Sequence, residues 1–171
     1  AGAGRGIGGT VAWGPDWSVW VTEGPEESGV VDLRDARTGE SVRSWTGHEI
    51  DVNDVAFSAD GTLLATTGDD GALRVWDPAT GRLAQEFVIP DGGVVWGPSF
   101  SADGTTVAAS WLDFGAVRIF DLATGVERSS VAQEGALATS LSPDGASVVL
   151  GNVNADEVVV AETATGQRRF T

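Results

Sequence analysis

Apolar positions in this chain come in short runs, and turn chemistry breaks every run. In the stretch 47–88, the run ending Val55-Ala56-Phe57 stops at Ser58-Ala59-Asp60-Gly61. Leu63-Leu64-Ala65-Thr66 stops before Asp69-Asp70-Gly71, and Leu73-Arg74-Val75-Trp76-Asp77 stops before Thr80-Gly81. Each run has the length of a strand. Asp-Gly and Thr-Gly turns reverse the chain within a few residues, so four such strands form an antiparallel meander. A meander of this kind is one blade of a β-propeller.

The pattern repeats. Phe57-Ser58-Ala59-Asp60-Gly61-Thr62 returns unchanged as Phe100-Ser101-Ala102-Asp103-Gly104-Thr105, and altered as Leu141-Ser142-Pro143-Asp144-Gly145-Ala146, at offsets of 43 and 41 residues. A second marker, Asp35-Ala36-Arg37-Thr38-Gly39, returns at Asp77, Asp121 and Glu162, at spacings of 42, 44 and 41. Two independent markers share one period near that of a four-stranded propeller blade. The expected fold is therefore all-β, a propeller of four-stranded antiparallel blades with four blades in this chain. The units are a Gly-rich leading segment (1–9), then blades at 10–46, 47–88, 89–130 and 131–171.

The second unit resembles the WD-repeat propeller family. It carries a Gly-His opening (Gly47-His48), an Asp-Gly turn and a closing Trp-Asp pair (Trp76-Asp77) in the family's order. The resemblance implies a hydrogen-bonded chain of His48, Thr66, Asp70 and Trp76 that holds the blade together and performs no chemistry. Such a chain satisfies polar groups that are costly to bury unpaired. The other units depart from the pattern. Arg34, Phe120 and Ala161 replace the Trp, none has the Gly-His opening, and only Thr22 matches Thr66. The polar chain is thus expected to be complete in one blade.

Composition narrows the function. Of 171 residues, 42% are apolar, ordinary for a globular domain. Twenty-five acidic against ten basic residues, all of the latter Arg, give a formal charge of −15, a surface that repels nucleic-acid phosphates and anionic lipid heads. Neither nucleic acid nor membrane is an expected partner. Cysteine is absent, which removes disulfides, thiolate metal sites and a catalytic thiol but leaves the redox compartment open. No leader or membrane-spanning run is visible, and a cytoplasmic placement is favoured. Abundant Ala, Gly, Asp, Val and Arg without Lys point to a GC-rich bacterial coding sequence.

Three features invite chemistry. Gly4-Arg5-Gly6-Ile7-Gly8-Gly9 satisfies the dinucleotide pattern, but that pattern needs a strand before it and a helix after it, and the run Thr10-Val11-Ala12-Trp13 that follows reads as a strand. Glu23, Glu26 and Glu27 lack the regular spacing of a calcium loop and read as a solvated turn. No metal or cofactor is expected. Catalysis would need a base beside a Ser or Thr, and the only imidazole, His48, is already employed by the blade. A carboxylate pair in the central channel remains the enzymatic alternative.

The candidate partner-binding face comprises Asp51, Asn53, Asp69, Trp96 and Trp111. Aligning the units places Trp96 over Asn53 and Trp111 over Gly68, so both aromatics stand near the tip where the second unit is small or polar. Aromatic anchors beside acidic groups suit an interface, while the alternative is that both rings fill gaps between blades. Continuous Val158-Val159-Val160 reads as a strand buried on both faces.

The family forms seven- or eight-bladed discs, so four blades resemble half a ring. The uncovered faces call for further blades of a longer parent, the favoured reading, for a second copy of the chain, or for closure of the four blades alone at a cost in wedge geometry. The resemblance implies a non-enzymatic scaffold that binds a protein or peptide, a sensor or regulatory module of a larger bacterial signalling protein. Purely structural blades of a larger disc are the third reading.

Overall fold

The computed structural model describes residues 11–24, 29–89, 93–152 and 158–170. Sixteen strands form four antiparallel sheets, each ordered as it occurs in the chain. The first sheet holds β1 (Val11–Trp13), β2 (Val19–Glu23), β3 (Val30–Asp35) and β4 (Ser41–Thr46), and the second holds β5 (Val52–Phe57), β6 (Leu64–Gly68), β7 (Ala72–Asp77) and β8 (Arg82–Val88). The third comprises β9 (Val95–Phe100), β10 (Thr106–Trp111), β11 (Ala116–Asp121) and β12 (Glu127–Ala132), and the fourth β13 (Ala136–Leu141), β14 (Ser147–Asn152), β15 (Val158–Glu162) and β16 (Arg168–Phe170). Strand β12 runs two residues past position 130. The Gly-rich segment 1–9, Glu26, Glu27 and residues 153–156 lie outside the described residues.

The two sequence markers are two of the three hairpin turns of a blade, the one before its second strand and the one before its fourth. At the first, Asp60 accepts from Ser58 Oγ at 2.7 Å and from the Thr62 N–H at 3.0 Å, and Asp103 and Asp144 repeat the arrangement with Ser101 and Ser142 at 2.6 Å. Hydrogen bonds from Ser58 and Thr62 hold the Asp60 carboxyl below its ordinary value. The fourth turn residue has a left-handed backbone, and Gly61, Gly104 and Gly145 occupy it. In the first blade that place belongs to Trp17, with φ 61°. At the second turn, Asp77 accepts from the Ala79 N–H at 2.9 Å and the Gly81 N–H closes onto the Asp77 carbonyl at 2.7 Å.

The first strands stand side by side around the centre, β1 beside β5, β5 beside β9 and β9 beside β13, and among the described residues no comparable strand packing returns from β13 to β1. The apolar core lies in the three junctions. Val21, Val31 and Leu33 of the first blade meet Val55, Leu64 and Trp76 of the second. Leu73, Val75 and Phe87 meet Val107, Trp111 and Phe120, and then Val117, Ile119 and Val131 meet Val148, Leu150 and Val159. Alternation along each strand sends successive side chains to opposite neighbours, so a blade is apolar on both faces.

One expectation fails here. The valine run of β15 is buried on one side only: Val159 is fully buried, whereas Val158 is 56% exposed. The pleat points Val158 away from the third blade, against which Val159 packs.

Candidate functional site

The second blade builds its polar centre from four places along its length. His48 precedes β5, Thr66 lies mid-β6, Asp70 sits in the β6–β7 turn, and Trp76 is near the end of β7. His48 Nδ1 is 2.8 Å from Asp70 Oδ1, His48 Nε2 is 2.8 Å from Thr66 Oγ1, and the Trp76 indole N–H donates to Thr66 Oγ1 at 2.9 Å. Arg74 adds a link that the sequence reading missed, donating to Asp70 Oδ2 at 2.6 Å and to Glu86 Oε1 at 2.7 Å. Its position gave a signal: on β7 its residue faces Thr66 directly.

Burial would raise the Asp70 carboxyl, but hydrogen bonds from His48, the Glu49 N–H and Arg74 outweigh it and hold the group well below the usual carboxylate range. An ionised carboxylate only accepts, so the Nδ1 N–H of His48 donates to Asp70, and Nε2 meets the Thr66 hydroxyl. The imidazole is fully covered. Both ring nitrogens therefore have partners inside the blade, and neither faces solvent.

The structure divides the five candidate face residues. Trp111 is fully buried, and its indole N–H donates to the Gly71 carbonyl at 3.0 Å across the junction between the second and third blades. It fills a gap between blades, because its place on β10 pleats toward the second blade. Asn53 is also withdrawn: it is 8% exposed, and its amide donates to Asp69 Oδ1 at 2.7 Å and to the Val95 carbonyl of the next blade at 3.2 Å. Asp51, Asp69 and Trp96 remain half-buried at the rim, brought together because Asn53 ties Asp69 to the residue before Trp96.

Asn53, Trp96 and Leu137 are equivalent positions: Asn53 and Leu137 are the residues that the first strand gains over the second, and Trp96, opposite Ser110, stands directly before that gain. Such bulges re-aim side chains at the rim. Beside Leu137 lies a cleft of about 610 Å³, lined by Leu112, Asp113, Phe114, Glu134 and Leu137 together with two glycines. The sequence reading missed it. Its signal was the β10–β11 connection, one residue longer than Asp69-Asp70-Gly71, which places Phe114 46% exposed over Arg118.

Among the described residues no cluster of three or more His, Asp or Glu is arranged to hold a metal ion, and no helix is long and apolar enough to cross a membrane.

The comparisons agree with this architecture. The model of the WD domain, G-beta repeat, matches residues 39–77, which span the end of the first blade and most of the second. Periodic tryptophan protein 2 of Arabidopsis thaliana is 30% identical over 86% of this chain and 17% of its own length. An Arabidopsis thaliana guanine nucleotide-binding protein subunit beta is 33% identical over 62% of this chain and 29% of its length. An uncharacterized WD repeat-containing protein of Synechocystis sp. is 39% identical over 42% and 22%. The chain thus spans less than a third of each of these relatives. Four sheets of blade topology, one of them with the His-Thr-Asp-Trp chain, and WD-repeat relatives along most of the sequence show that the chain belongs to the WD-repeat β-propeller family.

Proposed function

We propose that this chain is a non-enzymatic scaffold that presents one rim of the blades to a protein or peptide partner. The observation that carries the reading is the pairing of Trp96, a half-buried aromatic at a strand bulge, with the acidic rim of Asp51 and Asp69. The cleft at Leu112, Phe114 and Leu137, with Asp113 and Glu134 beside it, lies at the same end of the strands and extends the surface. Aromatic anchors within a polar surround are what concentrates binding energy at interfaces. Acidic groups at the rim select a basic partner, steer its approach and make the association weaken with salt. Engagement of the one imidazole in the blade interior supports the non-enzymatic reading, as do the WD-repeat relatives. A sensor or regulatory role within a larger bacterial signalling protein is the finer form of this proposal.

The test is affinity capture with the chain as bait, followed by mass spectrometry, comparing the unmodified protein with Trp96→Ala and Phe114→Ala. A basic protein enriched by the first and lost from the variants, with melting temperatures unchanged, is the expected result. Enrichment that survives both substitutions would place the partner elsewhere.

A further inference from the structure

We infer that the cleft between the third and fourth blades takes an arginine side chain of the partner, its aliphatic stem on Leu112 and Leu137 and its guanidinium at Asp113 and Glu134. The inference rests on the rim reading and names what one part of that rim recognises. Two connections wall the cleft. The β10–β11 connection supplies Leu112, Asp113 and Phe114, and the β12–β13 connection supplies Glu134, with Leu137 following on β13.

Ion pairing elsewhere in the chain singles out the two carboxylates. Arg34, Arg74, Arg118, Arg128 and Arg169 each pair with an Asp or Glu. Asp113 and Glu134 are exposed, and among the described residues neither has a cationic partner. The Val94 N–H donates to Asp113 Oδ2 at 3.3 Å and leaves Oδ1 open. Two carboxylates that reach one cleft from separate connections make a place for a positive charge.

The rest of the wall is apolar. Leu112 and Leu137 are half-buried, and Phe114 is 46% exposed. A stem of methylenes covers such a surface while its charged end stays at the polar edge. Arginine fits better than lysine, because its planar group pairs with carboxylates bidentately and lies against aromatic rings, as the Arg118 guanidinium does 6.0 Å from the Phe114 ring. At about 610 Å³ the cleft has the size of a ligand site and admits peptide backbone beside the side chain.

The walls are held before anything binds. The Leu112 N–H donates to the Val94 carbonyl at 3.0 Å, and Gly115 closes the 3-10 turn Leu112–Phe114 with a left-handed backbone, φ 54°. The Gln133 N–H donates to the Gly115 carbonyl at 2.7 Å, and the Asn152 amide donates to the Glu134 carbonyl at 2.7 Å. A Cβ at Gly115 would lie 3.0 Å from Glu134 Cγ, so glycine lets the two connections close up. Little beyond the incoming side chain is then ordered on binding, which keeps the entropy cost low.

Nuclear magnetic resonance titration of the isotope-labelled chain tests this with blocked peptides Gly-Gly-Xaa-Gly-Gly, in which Xaa is arginine, lysine or the neutral isostere citrulline. The arginine peptide is expected to shift the Gly115 and Gly135 amide signals saturably, and more weakly as salt rises. Lysine is expected to bind less well and citrulline to leave the signals in place. Asp113→Asn and Glu134→Gln are each expected to weaken the arginine peptide about threefold, the loss of one exposed ion pair. Glu40→Gln, in the β3–β4 turn at the other end of the strands, is expected to change nothing. The unshifted remainder of each spectrum establishes that the variant is folded. Absence of a saturable shift with the arginine peptide overturns the assignment. So does lysine or citrulline bound equally well, or a loss in Glu40→Gln that matches the cleft variants. The rim reading fails on a different result, capture that is indifferent to Trp96 and Phe114, so the two are told apart.

Discussion

The indole N–H of Trp111 and the carbonyl of Gly71 meet at 3.0 Å across the second blade junction, with both residues buried. The bond joins the end of β10 to the β6–β7 turn of the preceding blade, the turn that also holds Asp70. Trp111 further packs edge-on to Phe120 at 5.7 Å, and Phe120 stacks on Phe87 at 4.2 Å. The junction carries an aromatic column, and the Trp111 bond ties it to the preceding blade as the Asn53 amide does at the Val95 carbonyl.

Trp111→Phe keeps the ring in the column and removes the tie, leaving a buried carbonyl unpaired. A loss of about 1 to 3 kcal/mol is expected. Trp111→Ala also opens a cavity and is expected to cost about 3 to 5 kcal/mol. Urea denaturation reads both, and a midpoint unchanged in Trp111→Phe would show that the tie contributes nothing.

Asp70 is held below its ordinary carboxyl value by its partners, against the effect of burial. Its contribution to stability is therefore fully present above the unfolded value near 4 and is lost as pH falls toward the lower folded value. Asp70→Asn is expected to cost about 3 kcal/mol at neutral pH, because it breaks a buried pair. The difference from the unmodified protein should narrow below about pH 4. Melting curves across that range check it, and a constant difference would contradict the assignment.

Asp54 behaves in the opposite sense. Burial raises its carboxyl above the ordinary value, only partly offset by N–H donors from Val55 and from Gly97 of the next blade. The folded state holds this proton more tightly, so stability declines as pH rises from the unfolded value through the raised folded one. Asp54→Asn keeps the acceptor oxygen and removes the charge. It is expected to melt higher at neutral pH, with the gain vanishing in acid, and thermal scans at the two pH values decide it.

Gly97 occupies the contact between β9 and β13. Its φ is +60°, and a Cβ there would lie 2.6 Å from the Leu137 carbonyl oxygen and 3.1 Å from the Thr139 nitrogen. Those neighbours are backbone and do not yield, and the Thr139 hydroxyl donates to the Gly97 carbonyl in the same place. Gly97→Ala combines a left-handed backbone with overpacking and is expected to cost about 3 kcal/mol. Gly104→Ala is the control: φ is similar but nothing lies within 4 Å, so about 1 kcal/mol is expected. Equal losses in denaturation would mean that the junction relaxes around the new methyl group.

What the sequence determined by itself is what a few neighbouring residues can decide. Asp60 and Asp77 make their turns with residues no more than four positions away, so turns, strand lengths and the repeat were legible from local chemistry. The chain of His48, Thr66, Asp70 and Trp76 is what the resemblance to the WD repeat implies, and antiparallel register within one meander is what lets those residues meet. Arg74 could have been added on the same ground.

Only the tertiary structure decided what each face meets. Trp96 and Trp111 look alike in the sequence and lie one rung apart in the ladder, Trp111 opposite Val95 and Trp96 opposite Ser110. The pleat and the bulge send one ring into the second blade and leave the other at the rim. Val158 and Val159 differ for the same reason, since a blade's period puts apolar residues on both faces whether or not a neighbour covers them. Local pattern specifies the strand, and burial belongs to the surface laid against it.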